Sequence, residues 1–183
     1  LAFPGHPYIP IASLGPEIEA RTLTLTSATK AFNMAGLRCG VAVFGSDALK
    51  ERFQTLPSHL RGGLGSFGLA ASEIAWTSAQ PWLDDVLRYL DGNRAFVARF
   101  AKERLPGIAH LPPEATYLAW LDCRALDLKP DPFNFFLQRA RVALSDGRRN
   151  GPGGDGFVRL NFATSRPILT QILERLEKSL ARG

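Results

Sequence analysis

Cysteine, histidine and long apolar runs are all scarce in this sequence, and each shortage removes a class of protein. The two cysteines, Cys39 and Cys123, lie in apolar surroundings and make no metal-spaced set. They predict buried free thiols rather than a disulfide framework or a zinc site. The three histidines, His6, His59 and His110, are far apart and match no ligand spacing, so no metal is expected. No stretch approaches the roughly 18 apolar residues that a membrane span needs, and no signal-peptide pattern opens the chain. A cytoplasmic protein with no membrane partner is the expectation. Net charge is +5, but the 22 Lys and Arg residues are scattered among 17 acidic ones, with Arg148-Arg149 the densest pair. A nucleic-acid surface would need a basic stripe with interleaved aromatics, and no such partner is expected.

What is present is an ordinary globular composition, 45% hydrophobic and 21% charged over 183 residues. Residues 21 to 26 alternate apolar and hydroxyl side chains, which predicts a strand with Leu23 and Leu25 on one face. A polar loop from Ser27 to Gly36 leads to a second buried strand, Cys39 to Phe44. Ser46-Asp47 is placed to cap a helix that Pro57 ends. After the glycines at 62, 63, 65 and 68, Leu69 to Ser78 predicts a buried helix. From Pro81, Trp82, Val86, Tyr89, Leu90, Val97 and Phe100 recur at helical spacing up to the stop at Leu105-Pro106-Gly107. Beyond it the pattern predicts strands over Ala115 to Asp122, Val142 to Leu144 and Phe157 to Ala163, and a helix over Pro132 to Arg141. A final helix begins at Ser165 and carries Ile168, Leu169, Ile172, Leu173, Leu176 and Leu180 on one face.

One segment carries chemistry. Ser27-Ala28-Thr29-Lys30 sets an amine on a loop directly after a strand, with hydroxyls one and three residues before it, and Arg38 adds a cation eight residues later. A phosphate-bearing aldehyde cofactor needs such a set, an amine to form the imine and charge-assisted donors for the dianion. By spacing alone other readings stay open. Ser-x-x-Lys also occurs in acyl-transfer enzymes whose serine is the nucleophile, and Lys30 could be a solvated loop lysine.

The longer wording, Leu25-Thr26-Ser27-Ala28-Thr29-Lys30-Ala31-Phe32-Asn33-Met34-Ala35-Gly36-Leu37-Arg38, resembles the cofactor-lysine segment of fold-type I pyridoxal phosphate enzymes, the class I/II aminotransferases. It is most like the cystathionine β-lyase, or C–S lyase, branch. Gly156-Phe157-Val158-Arg159-Leu160-Asn161-Phe162 resembles the family's small-domain strand. The Trp82-Leu83-Asp84-Asp85 helix and the strand Tyr117 to Asp122 stand in the expected order. The resemblance implies pyridoxal 5'-phosphate as cofactor, Lys30 as Schiff-base lysine and proton shuttle, Ser27 and Arg38 as phosphate ligands, and Arg159 as the clamp on a substrate carboxylate. Gly62 to Gly68 resembles the part that reaches across a dimer interface, which implies a homodimer. Trp82, Trp120, Phe133, Phe135 and Phe136 are expected to pack rather than touch substrate.

The expected fold is α/β. Residues 1 to 80 would be the C-terminal part of a large, mostly parallel cofactor domain, 81 to 105 a long linking helix, and 106 to 183 a small α+β domain. The family's pyridine-nitrogen aspartate, ring-stacking aromatic and phosphate-gripping glycine turn would lie upstream of Leu1, so the chain reads as part of a longer protein and is expected to be inactive alone. The implied reaction is β-elimination on cystathionine or a related sulfur amino acid, giving pyruvate, ammonia and a thiol. The alternatives are transamination and a non-catalytic aminotransferase-like regulatory domain.

Overall fold

Alternating leucine and threonine make β1 (Leu23–Thr26), and Val41–Phe44 makes β2. The two pair antiparallel, with Leu23 opposite Phe44 and Thr26 opposite Val41. In this computed structural model, which describes residues 1–181, they belong to the first of two compact units, Pro7–Val86. The second comprises Leu1–His6 together with the chain from Leu87 onward.

In the first unit a short helix α1 (Pro16–Glu19) leads into β1, and α2 (Asp47–Gln54) follows β2. Gly45 joins β2 to α2 because a Cβ there would collide with the Glu19 carbonyl. Ser46 occupies the N-cap position, but its hydroxyl donates 2.8 Å to the Ala20 carbonyl and not to the helix. The strand leucines expected to be buried stay exposed, Leu25 at 73%. The helix after the glycines, α3 (Ser66–Ser78), starts three residues early and is buried only through small residues, Gly68, Ser72 and Ala75. The cause is a close approach. A Cβ on Gly68 would meet the Leu37 carbonyl, so the small face docks and Phe67, Leu69, Ile74 and Trp76 are left outside.

The long helix α4 (Gln80–Arg104) matches the periodic stretch, and in the second unit it buries Leu90, Asn93, Val97, Phe100 and Ala101. Tyr89 and, in the first unit, Trp82 are about half exposed, contrary to the expected stripe. A four-stranded antiparallel sheet follows in the order β3 (Ala109–His110), β4 (Leu118–Asp122), β6 (Phe157–Asn161), β5 (Ser145–Asp146). The parallel strands expected of a large domain are not among the described elements. Positive φ at Thr116 delays β4 until Leu118.

The expected helix over 132 to 141 divides into α5 (Pro132–Phe135), capped by the Asp131 carboxylate, and a π-helical turn, Phe136–Ala140. Arg141 ends that turn in the left-handed region, and the strand expected at Val142 to Leu144 forms instead at β5. The last helix, α6 (Arg166–Leu180), buries Leu169, Leu173, Leu176 and Ser179 and leaves Ile168 half exposed.

Alternation decides what the sheet does. Ala119 and Leu121 of β4 and Val158 and Leu160 of β6 are buried on one face. Trp120, Phe157, Arg159 and Ser145 occupy the opposite, half-open face, where Trp120 and Phe157 stack at 5.3 Å. His110 at the sheet edge donates from Nδ1 to the Trp120 carbonyl, 3.1 Å, and its Nε2 is buried without a partner. Burial holds its pKa below the usual histidine value. Both cysteines are buried and unbridged, as expected, and burial pushes the Cys123 thiol up to about 12.

Candidate active site

In the first unit, β1 ends at Thr26 and the chain turns through Ser27–Lys30. Ala28 is fully buried at the turn's base, which leaves Lys30 exposed above it. The Ser27 hydroxyl donates 2.8 Å to the carbonyl of Cys39, twelve residues on, and closes the loop. That bond ties Ser27 to the residue after Arg38, so three of the expected residues lie within one closed loop.

A serine hydroxyl has one proton, and Ser27 commits it to Cys39. The 2.7 Å contact between Ser27 Oγ and Thr29 Oγ1 is therefore donated by Thr29, whose backbone N–H also reaches Ser27 Oγ at 3.1 Å. Thr29, the hydroxyl one residue before Lys30, is thus bonded to Ser27, the one three residues before it. Ser27 can serve an anion only by turning its proton away from Cys39.

Arg38 is exposed and left-handed at φ 48°, and Asn33 in the same loop at φ 53°. Such backbone is costly for residues other than glycine and needs support from its surroundings. Here the 3-10 turn Ala35–Leu37 and the docking of α3 on Leu37 supply it. No acidic residue occurs between Glu19 and Asp47, a stretch holding Arg21, Lys30 and Arg38. Two hydroxyls, Lys30 and Arg38 in a stretch of sequence without a carboxylate suit a dianionic phosphate.

Arg159 stands in the second unit, on β6 between Trp120 of β4 and Ser145 of β5. Its guanidinium donates to Asn150 Oδ1 at 2.9 Å and to Ser145 Oγ at 3.4 Å. Both partners are neutral. Among the described residues no carboxylate pairs with Arg159, whereas the nearby Arg124 and Arg148 are held by Asp122, Asp131 and Asp146. Arg124 and Arg148 are ion-paired and Arg159 is not. A concavity of about 570 Å³ elsewhere in this unit, between Arg104, Leu126, Phe135 and Leu180, contains none of the expected site residues.

A lysine turn with hydroxyl donors in one unit, and an arginine without a carboxylate partner on a half-open sheet face in the other, are each chemically suited to an anionic group. The chain belongs to the aminotransferase class I and II family, whose model matches residues 1–176. It is 40% identical to a Mycobacterium tuberculosis protein carrying a provisional cystathionine beta-lyase name, over 85% of this chain and 42% of that protein. It is 32% identical to the cystathionine beta-lyase PatB of Bacillus subtilis, over 97% of this chain and 46% of the relative. Cystalysin from Treponema denticola, whose crystal structure contains pyridoxal 5'-phosphate, superposes with a TM-score of 0.92 at 30% identity, covering all of this chain and 47% of cystalysin. The chain spans a little under half the length of these relatives.

Proposed function

We propose that this chain supplies the lysine, phosphate ligands and carboxylate clamp of a pyridoxal 5'-phosphate-dependent C–S lyase. The substrate would be cystathionine or a related sulfur amino acid, with pyruvate, ammonia and a thiol as products. The observation that supports the proposal is the closed loop, in which the Ser27 hydroxyl bonds the Cys39 carbonyl while Lys30 and Arg38 are both exposed. The choice of lyase over transaminase is supported by the names of the relatives.

When bound, pyridoxal phosphate supplies a conjugated ring that takes up the electron pair released at the substrate Cα. Arg38, and Ser27 once its proton turns away from Cys39, would hold its phosphate by charge-assisted hydrogen bonds. Lys30 would be the amine that holds the group in the absence of substrate. Lys30 then accepts the Cα proton and returns a proton when the thiol leaves from Cβ. The enamine released hydrolyses to pyruvate and ammonia. Arg159 holds the substrate carboxylate through its planar fork, a geometry lysine cannot offer.

In the same reading Pro7–Val86 is the end of the larger cofactor domain, and α4 links it to the small domain. The protein works as a cytoplasmic homodimer. The unbridged buried cysteines support the compartment, and the apolar surface of the first unit supports association.

The test is made on the full-length protein. It should release pyruvate from cystathionine and show the visible absorption of bound cofactor, and Lys30→Ala should abolish both. Unchanged absorption in the variant, or amino-group transfer to a keto acid without pyruvate release, would overturn the assignment.

A further inference from the structure

Arg159 depends on a loop to which no role has been given. Between β5 and β6 the chain makes one 3-10 turn, Gly147–Asn150, whose last residue reaches back to Arg159. The orientation of the Asn150 amide follows from chemistry. A guanidinium only donates, so the atom facing it must be the oxygen. The Asn150 Nδ2 is turned the other way and donates to the carbonyls of Asp146, 3.1 Å, and Gly147, 3.4 Å. The side chain is gripped at its nitrogen and offers its oxygen.

The turn that carries it is itself tied down. Asp146 accepts from the Arg148 backbone N–H and from Arg148 Nε, and Arg148 also reaches Asp131, the cap of α5. Gly147 and Gly154 approach so closely that a Cβ on either would strike the other's carbonyl. Asn150 is exposed, but its position is set from several sides.

We propose, resting on the reading of Arg159 as carboxylate clamp, that Asn150 is a positioning residue that aims this guanidinium at the substrate while leaving its charge unspent. An asparagine oxygen fixes one N–H without neutralising the cation, and, with Ser145 taking a second, the other N–H groups remain for a carboxylate. An aspartate at this place would also orient the arginine, but it would compete with the substrate.

That contrast makes the test. In the full-length enzyme, Asn150→Ala should raise KM for the amino-acid substrate about 3- to 10-fold, the worth of one ordinary hydrogen bond, with kcat changed less than twofold. Asn150→Asp should raise KM further, to roughly 30-fold or more, because an ion pair now occupies the clamp. Asn150→Gln, which keeps a neutral oxygen, should recover part of the loss. Arg159→Ala serves as the reference and should raise KM more than Asn150→Ala. If Arg159→Ala leaves KM unchanged, the clamp reading itself fails. If Arg159→Ala raises KM while Asn150→Ala and Asn150→Asp leave it at the parent value, or raise it equally, the positioning role is wrong and the clamp stands. A fall in kcat at constant KM in the Asn150 variants, reflecting a merely structural role, would also overturn it.

Discussion

Arg38 combines two demands that normally conflict, a left-handed backbone and a long cationic side chain. Removing the charge and relieving the backbone can therefore be separated. Both Arg38→Ala and Arg38→Gly should weaken cofactor binding by about 10- to 100-fold, the worth of a hydrogen bond to a charged group. Only Arg38→Gly removes the left-handed penalty, about 1 kcal/mol, so it should unfold at a higher temperature than Arg38→Ala. Cofactor titration and thermal unfolding of the full-length variants read the two effects independently; equal stability of the pair would show that the φ of Arg38 carries no cost. At this scale the turn around Lys30 was legible as a loop after a strand because its residues form a contiguous stretch. Asn150 was not legible, because it acts through a hydrogen bond to Arg159 that only the folded loop supplies.

Among the elements, α4 carries a polar residue in its buried stripe. Asn93 is fully buried and donates 2.9 Å bonds to the carbonyls of Phe162 and Thr164, just beyond β6, while its Oδ1 accepts from Arg166 Nε. Tyr89 accepts the Arg166 backbone N–H at 2.7 Å, and the Arg166 guanidinium lies 4.5 Å from the centre of the Phe96 ring. This latch joins α4 to the start of α6. Asn93→Leu strands two carbonyls and a guanidinium, and the expected cost is about 2–4 kcal/mol, read by denaturant unfolding of the full-length protein. A loss below 0.5 kcal/mol would mean that water replaces the amide at no cost. Periodicity located α4 and α6 to within a residue or two because their burial repeats along the helix. It misjudged α3, where a close approach at Gly68 turned the small residues inward.

For the whole molecule, the uneven distribution of apolar surface is the main feature. Large hydrophobic side chains with more than a third of their surface exposed concentrate in Pro7–Val86, among them Tyr8, Leu25, Leu60, Phe67 and Ile74. Surface of this kind is usually covered by more protein, and the relatives are about twice as long. The 183-residue chain alone should therefore bind an apolar dye, self-associate in sedimentation and show no lyase turnover. A monodisperse, dye-silent monomer would contradict this. Among the described residues no helix is long and apolar enough to cross a membrane.

By itself the sequence determined the α/β class, the long helix, the alternating strand of the second unit and the lysine turn. Each of these rests on local periodicity or on a contiguous motif, and both survive in one dimension. Tertiary structure alone decided which arginines keep their charge. Arg148 is held by Asp131, seventeen residues away, as well as by Asp146, while Arg159 makes no ion pair with Asp155, four residues away, and faces Asn150 and Ser145. Sequence distance does not distinguish a spent cation from a free one, because cross-strand register and loop closure choose its neighbours.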